Sequence, residues 1–530
     1  DKMAAIVTDQ FRILNAGNFV DSVTDTSNSY FVFVGLSNPK ASGYGKDSAW
    51  DTSTPSPVDN FDYHGFVGDN MSFGKKITSG NVRRLARKVN WARGTKYEMY
   101  RHDYSLTNLS PITGSSRLYD ANYYVVNSDF KVYICINNGA SGISTTGNAS
   151  LNEPTFTDLE PTKAGDGADG YTWKYLFTIS PSDIIKFDST EYISLPNDWS
   201  TTTDTQITSV RNNGDSNVNE NQIKQVYIKD RGQGYSTGSW ELNILGDGSG
   251  GKVVVDVNSS GNVTNAVVSA GGKGYSFGVV DLGPIRPVGV GTSNANLIPI
   301  IPPAKGHGND IYTELGADKV LVYARFDDST RDFPVDTKFG QIGVVKNPTT
   351  IGTASSVFTG PQFSSLGAFK FASVSGESTS VPAIGSKITQ TTSKGVAQGY
   401  VSSYDRETKV LKYTQDRTLF LNPTSYDSKD HAGISTSGNV LAFETDAPGG
   451  ITINNILSSD GFTGTIDRNF TGINTNPSGT KLISLGLEFT NGIASPEINK
   501  GTGDIIYIDN RPEINRNSRQ KEDVKIILEF

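Results

Sequence analysis

Hydrophobic and polar residues alternate over short stretches of this 530-residue chain, a pattern that predicts strands joined by turns. The clearest strand signals are rich in β-branched and aromatic residues and cover residues 30–36, 123–139, 169–180, 318–326, 339–348 and 384–415. In the C-terminal "DVKIILEF", the alternation places four apolar residues on one face of a strand: Val524, Ile526, Leu528 and Phe530. Residues 384–415 contain internal turn signals as well, and they predict a small barrel or meander.

Helical spacing of apolar residues, with a capping residue in front, predicts helices at three places in the chain. The segments and their capping residues are 8–23 with Thr8 or Asp9, 79–91 with Ser79, and 180–187 with Ser180 or Ser182. The densest basic run, "RRLARK" at 83–88, lies in the second segment and is typical of a solvated helix face. Residues from 37 to about 70 are rich in Gly, Ser, Pro and Asp and are expected to form a loop.

An internal repeat follows in the middle of the chain. "IKQVYIKDRGQGYSTG" from Ile223 and "VTNAVVSAGGKGYSFG" from Val263 align without gaps, and they predict a duplicated unit of strand, glycine turn and tyrosine. Between them, "GDGSGGKV" resembles a phosphate-binding loop but has Val253 where that loop needs a hydroxyl. Strand patterns flank this glycine cluster on both sides, so we expect a hairpin turn and no bound nucleotide.

Composition narrows the class of protein further. Hydrophobic residues make up 35% and charged residues 19%, and the balance is filled by 56 glycines and other residues that favour turns. The net charge of −8 argues against nucleic-acid binding. The single cysteine, Cys135, lies in an apolar strand and is expected to be a buried, inert thiol. No apolar run is long enough to span a membrane, and a soluble protein that folds in a cytoplasm is expected.

The residues that commonly carry chemistry form no recognisable site. His64, His102, His307 and His431 do not occur at metal-ligand spacing, and His307 is expected to be a solvated loop residue. Adjacent acids at 327–328 would point to opposite faces of a strand, and "GDGADG" at 165–170 favours a turn over a calcium loop. The tyrosines of "NYYVV" and of the two "GYS" turns fit packing better than sugar binding. We therefore predict no catalytic, cofactor-binding or metal-binding residues, and no enzyme.

The fold class that these patterns predict is mainly β, with a minor α+β part. We expect a multi-domain chain of β-sandwich or meander modules, with a few short helices and two β-rich insertions. The predicted divisions are a core at 1–205 with returning segments at 310–350 and 495–530, a Gly-rich insert at 206–309, and a second β-rich insert at 351–494 that contains the small barrel or meander.

Two motifs carry a resemblance to a known family. The first is "GADGYTWKYLFTISPSD", and the second is the C-terminal "GDIIYIDNRPEI" with the strand that follows it. Together with "AAIVTDQFRILNAGNF" and "FGQIGVVKNP", they resemble a baseplate wedge subunit of contractile-tail phages of the T-even type, the wedge protein usually numbered eight. The motif positions are Gly170, Tyr171, Trp173, Tyr175, Asn510, Arg511 and Pro512. The resemblance covers about half of the chain, and both insertions depart from the family pattern.

This resemblance implies a structural protein of the virion that is assembled in the host bacterial cytoplasm. Family members form homodimers within each wedge, contact neighbouring wedge proteins, and help to hold fibre-bearing parts of the baseplate. The rigid β modules are expected to move as bodies when the tail contracts. The alternatives are a tail adhesin, whose inserts bind host surface glycan, and a glycan depolymerase with a pair of carboxylates brought together by folding.

Overall fold

The structure is a computed structural model, and it confirms the mainly β fold class, with 42% of residues in strands and 12% in helices. It describes residues 8–36, 50–215, 220–286, 293–327, 337–353, 355–376, 382–393, 395–415, 441–445, 455–458, 461–516 and 520–530.

The chain divides into two compact units. Unit 1 comprises residues 1–20, 82–321 and 526–530, and unit 2 comprises residues 21–81 and 322–525. These units are defined only by which residues pack closely together. They do not test the three-part organisation expected from the sequence, which stays a prediction.

The described helices are few and short, as expected. They are α1 (Asp9–Thr24), α2 (Phe61–Asn70), α3 (Pro181–Phe187), α4 (Thr205–Gly214) and α5 (Ile311–Leu315). The strands are β1 (Tyr30–Gly35), β2 (Met71–Ile77), β3 (Val82–Arg87), β4 (Tyr124–Val126), β5 (Lys131–Asn138), β6 (Thr162–Lys163), β7 (Tyr171–Thr178), β8 (Tyr192–Leu195), β9 (Val226–Arg231), β10 (Gly238–Gly246), β11 (Ser249–Val257), β12 (Val263–Lys273), β13 (Gly278–Val280), β14 (Ala295–Pro299), β15 (Lys319–Phe326), β16 (Lys338–Lys346), β17 (Gln362–Ser364), β18 (Gly367–Ser375), β19 (Lys387–Thr392), β20 (Gly395–Asp405), β21 (Val410–Thr414), β22 (Asn455–Ser458), β23 (Thr463–Ile466), β24 (Gly472–Thr475), β25 (Ile483–Phe489), β26 (Ile493–Ala494), β27 (Asp504–Asn515) and β28 (Glu522–Glu529).

Two of the predicted helices are present with the expected caps. In front of α1, the Thr8 hydroxyl accepts a hydrogen bond from the Phe11 amide at 3.3 Å. In front of α3, the Ser180 hydroxyl accepts from the Asp183 amide at 3.2 Å. These side chains satisfy amides that the first helical turn leaves without a partner, which is why the sequence signal was reliable here.

The helix predicted over residues 79–91 is wrong. A short 3₁₀ turn at Ser79–Asn81 leads directly into strand β3. β3 pairs antiparallel with β8, so that Leu85 faces Ser194 across the ladder. A run of six residues fits helical and strand spacing almost equally well, and the pairing with a distant strand decides between them.

A helix was missed inside the loop expected up to residue 70. Asn60 caps α2, and its side-chain oxygen accepts from the Tyr63 amide at 2.7 Å. Tyr63 and Val67 are four residues apart, and both are buried. The cap and this spacing were readable in the sequence, but the surrounding Gly, Pro and Asp residues outweighed them.

Unit 1 contains the four-stranded antiparallel sheet β4-β5-β7-β6 and the module built from the repeat. The β4–β5 pair is the hairpin predicted at 123–139, with Tyr124 opposite Ile134. The repeat module contains the sheet β12-β11-β10-β13 and the pair β14–β9. Its Gly-rich connection joins β10 to β11 as a hairpin, as expected, and Lys252 pairs with Asn243 inside that ladder.

The two tyrosines of the repeat perform related tasks. Both Tyr235 and Tyr275 are buried, and each hydroxyl bonds to the backbone of a neighbouring segment. The Tyr275 hydroxyl accepts from the Gly251 amide at 3.0 Å and donates to the Ile244 carbonyl at 2.9 Å. The Tyr235 hydroxyl accepts from the Ala295 amide at 3.0 Å. The duplicated tyrosine therefore fastens a turn onto an adjacent strand in each copy.

Replacing Tyr275 with phenylalanine is expected to cost about 1–3 kcal/mol of unfolding free energy, since it leaves a buried amide and a buried carbonyl without partners. Tyr235→Phe, the matched change in the other copy, removes one such bond and should cost less. Urea unfolding of both variants measures the difference. Equal costs, or a neutral Tyr275→Phe, would contradict this description of the repeat.

Unit 2 contains a five-stranded antiparallel sheet in the order β17-β2-β1-β16-β27 and a closed ring of strands. The ring runs β18-β21-β20-β19-β22-β23 and returns to β18, which makes a small barrel. Residues 384–415, where a barrel or meander is expected, supply β19 to β21. Phe369 and Tyr413 stack inside the barrel with ring centroids 4.3 Å apart.

Candidate functional site

The first set of motif residues lies at the centre of unit 1. Tyr171, Trp173 and Tyr175 lie on β7 and are all buried. Gly170, directly before the strand, has φ of +81°, a left-handed conformation that glycine adopts without the strain of a Cβ atom. The motif spacing therefore reflects a strand entered through a tight turn.

The hydroxyl of Tyr171 is used inside the protein. It accepts a hydrogen bond from the Tyr97 amide at 2.9 Å and donates to the Asn148 carbonyl at 2.8 Å. Asp169 holds the preceding turn, because its carboxylate accepts from the amides of Leu151 at 2.8 Å and Tyr171 at 3.1 Å. The segment "GDGADG" is thus a turn, as expected.

Trp173 forms the centre of an aromatic cluster. Its ring stacks on Tyr171 at 5.3 Å between centroids and meets Tyr97 edge-on at 5.8 Å. The indole N–H is buried and has no hydrogen-bond partner among the described residues. Trp173 consequently contributes through packing alone, and nothing on its ring is offered to a ligand.

Lys174 lies between these aromatic residues, and its side chain is buried as well. The ammonium donates to the Leu159 carbonyl and to the Asn213 side chain, both at 2.7 Å. Burial, reinforced by the nearby Lys224 charge, lowers the pKa of Lys174 to about 8.

This pKa shift predicts how stability depends on pH. The lysine pKa is lower in the folded chain than in the unfolded chain, so the unfolded chain binds more protons between pH 8 and about 10.5. Unfolding free energy should therefore rise by about 2 kcal/mol between pH 8 and 10 relative to Lys174→Met, which has no such proton. Urea titrations of both proteins at the two pH values test this. A parallel pH dependence in the two proteins would contradict it.

The second set of motif residues fastens the edge of the sheet in unit 2. The Asn510 amide nitrogen donates to the Pro55 carbonyl at 2.8 Å and also to the Tyr63 hydroxyl, while its oxygen accepts from Gln341 at 2.9 Å. The Arg511 carbonyl accepts from the Trp50 indole at 2.7 Å.

Pro512 follows Arg511 on β27, which is the edge strand of its sheet. Proline has no N–H to donate, and an edge strand is where a sheet tolerates this loss. Asn510 and Arg511 therefore connect residues 50–63 to the sheet within unit 2, and Pro512 lies beside them on the edge strand.

The three described histidines do not lie together in one site. His307 is 2% exposed, so the prediction of a solvated loop residue is wrong. Its ring bonds to the carboxylate of Glu314, which also accepts from the Gly308 amide at 2.6 Å. The residues around His307 are small and polar, which suggests an exposed loop. Glu314, the buried acid that bonds to the ring, lies seven residues later in the sequence, and no sequence motif links the two.

The other two described histidines have local partners. His102 accepts from the Ile301 amide at 3.1 Å, and His64 lies 3.1 Å from the Asp59 carboxylate. His431 and Asp328 lie outside the described residues. Over the described part of the chain, no three His, Cys, Asp or Glu side chains are grouped as metal ligands would be.

Cys135 is fully buried, and burial raises the pKa of its thiol well above the usual value.

The candidate sugar-binding aromatics are not available at the surface. Tyr123 and Tyr124 of "NYYVV" are buried, and so are Tyr235 and Tyr275 of the "GYS" turns. No helix among the described residues is both long enough and apolar enough to cross a membrane.

Two clefts open on unit 1. The first, of about 500 Å³, is lined by charges that largely neutralise one another. Arg117 contacts Asp9 at 2.5 Å, and Lys319 lies 3.0 Å from Asp318 and 3.2 Å from Glu529. The basic and acidic side chains of this lining are equal in number, so the cleft has little net charge to offer a ligand.

The second cleft, which we call the arginine pocket, also measures about 510 Å³. Its lining includes Arg84, Trp199, Arg211, Lys305, Asp310 and Tyr312. Arg84 comes from the basic run at 83–88, which was expected to be a solvated helix face. That expectation is wrong, because the arginines of β3 are half-buried: Arg83 pairs with Asp183 at 3.0 Å, and Arg87 bonds to Asn122 at 2.8 Å.

No family model matches the chain, and no curated protein matches its sequence.

Proposed function

We propose that this chain is a structural subunit of a contractile phage tail baseplate, a wedge protein that joins its neighbours and the peripheral parts that carry fibres. It forms a homodimer and acts by presenting rigid β modules to partner proteins. It transforms no substrate.

The observation that carries the proposal is what the motif residues do. Gly170, Tyr171 and Trp173 build a buried strand and its turn in unit 1. Asn510 and Arg511 hydrogen-bond to distant parts of unit 2 through side chain and backbone. The motif residues that carry the resemblance therefore hold the folded structure together, as expected of a structural protein.

Two further features support a structural role. The side chains of Tyr171, Tyr175 and Asn510 form hydrogen bonds inside the chain, and the Arg511 side chain pairs with Asp509. The tyrosines considered for sugar binding are buried, so they support packing, and the adhesin alternative would need other side chains of the inserts to bind glycan.

Two measurements on the full chain test the proposal. Light scattering after size-exclusion chromatography should give twice the chain mass of 57.0 kDa. Affinity purification from a phage-infected culture should recover the chain with other baseplate proteins. A monomer that co-purifies with none of them would contradict the proposal, and so would release of sugar from host polysaccharide by the purified chain.

A further inference from the structure

The arginine pocket brings together three cations that the described residues leave without a salt bridge. Arg84, Arg211 and Lys305 all line it, and among the described residues no carboxylate forms an ion pair with any of them. Arg84 is the most unusual of the three, because its Nε atom is buried and has no hydrogen-bond partner among the described residues. A buried guanidinium nitrogen of this kind is costly unless something binds to it.

The carboxylates in the lining do not serve these cations. Asp310 caps α5, accepting from the amides of Tyr312 at 3.0 Å and Thr313 at 3.3 Å. It also accepts from the Thr313 hydroxyl at 2.8 Å. Asp215 is the other carboxylate of the lining. The positive charge of the pocket is therefore available to a ligand.

The geometry around Arg84 orients its guanidinium. The guanidinium carbon lies 3.8 Å from the centre of the Tyr312 ring, so one face of the group is covered by the aromatic ring. Gly17 of α1 lies against the guanidinium, where an added Cβ would come within 3.1 Å of a terminal nitrogen. A guanidinium held in a plane in this way is prepared for a planar carboxylate that accepts two parallel N–H bonds.

Arg211 is also positioned by the fold. One of its terminal nitrogens donates to the Trp199 carbonyl at 2.6 Å. The other N–H groups of its guanidinium form no hydrogen bond with the described residues. Lys305 is exposed, has a positive φ of +66° and belongs to the lining of the pocket. Two positioned guanidiniums and an exposed lysine match a short run of acidic side chains.

We propose that the arginine pocket binds an acidic peptide segment of another protein, through two or more Asp or Glu carboxylates. A carboxylate is planar and accepts two parallel N–H bonds from a guanidinium held as Arg84 is, and inorganic phosphate is tested below as a competitor. Nucleic acid is disfavoured by the net charge of −8 over the whole chain. The inference goes beyond the proposed function and does not rest on it.

Binding of a labelled hexaglutamate peptide to the full chain, measured by fluorescence anisotropy at low salt, tests the proposal. Arg84→Gln and Arg211→Gln should each weaken the affinity about tenfold or more, since each removes charge-assisted hydrogen bonds. Lys305→Asn should weaken it about threefold, and asparagine tolerates the positive φ at that position. Arg93→Gln, an exposed arginine outside the pocket, is the matched control and should leave the affinity unchanged.

Several results would overturn the proposal. One is a hexaglutamate affinity no higher than that of hexaglutamine, and another is an equal loss in Arg93→Gln. Competition by inorganic phosphate at lower concentration than glutamate would assign the pocket to phosphate instead. If Arg84→Gln fails to fold, as its circular dichroism would reveal, Lys305→Asn and Arg211→Gln still decide the result. Failure of all these tests would leave the oligomeric state and the baseplate partners as a separate question.

Discussion

Replacing Trp173 with alanine is expected to lower the free energy of unfolding by about 3–5 kcal/mol, the largest single effect at any motif position. The indole is fully buried and contacts both Tyr97 and Tyr171, so the substitution removes apolar area and leaves a cavity within an aromatic cluster. Urea unfolding of the full chain, followed by tryptophan fluorescence and circular dichroism, measures the loss.

Trp173→Phe is the matched control. It keeps a ring in the cluster and removes the buried N–H that has no hydrogen-bond partner among the described residues, so it should cost less than about 1.5 kcal/mol. A ligand-binding tryptophan would behave differently, with small losses of stability in both variants. A loss below about 1 kcal/mol for Trp173→Ala would therefore contradict a purely structural role.

Replacing Glu314 with alanine is expected to cost about 3–5 kcal/mol as well. The change leaves the Gly308 amide and the His307 ring buried without their acceptor. The edge of Tyr100 packs on the same imidazole at 4.8 Å between centroids, so the disturbance should reach the main core of unit 1. The midpoint of thermal or urea unfolding measures it.

Glu314→Gln separates the loss of hydrogen bonds from the loss of volume. Glutamine keeps an oxygen that can accept from Gly308, so it should recover more than half of the stability lost in the alanine variant. Equal losses in the two variants would mean that the negative charge matters most. A neutral Glu314→Ala would show that the buried pair does not hold the loop in place.

Strands and hairpins were predictable from this sequence because their signals are local. Alternation over 123–139 identified the β4–β5 hairpin, and the flanking strands identified the "GDGSGGKV" segment as a turn. Local signals failed at β3, where the apolar spacing of Val82, Leu85 and Ala86 fits a helix. The partner strand β8 lies about a hundred residues further along the chain, and no local pattern reports such a pairing.

The candidate sites depended even more on distant contacts. The burial of His307 needs Glu314, and the arginine pocket needs residues from β3, α4 and α5 to meet. The motif residues on β7 and β27 could be identified from the sequence. No sequence pattern identified Tyr97 and Pro55, to which they hydrogen-bond. These residues are brought together by the tertiary fold, and their spacing along the sequence does not predict it.

Electron cryo-microscopy of contractile-tail phage particles produced in a culture that expresses this chain tests the central proposal, a place in the tail baseplate, most directly. We expect two copies of the chain to lie side by side in each wedge of the tail baseplate. The β modules should have the same internal structure before and after contraction. Density for the chain outside the tail, or β modules that refold on contraction, would contradict it.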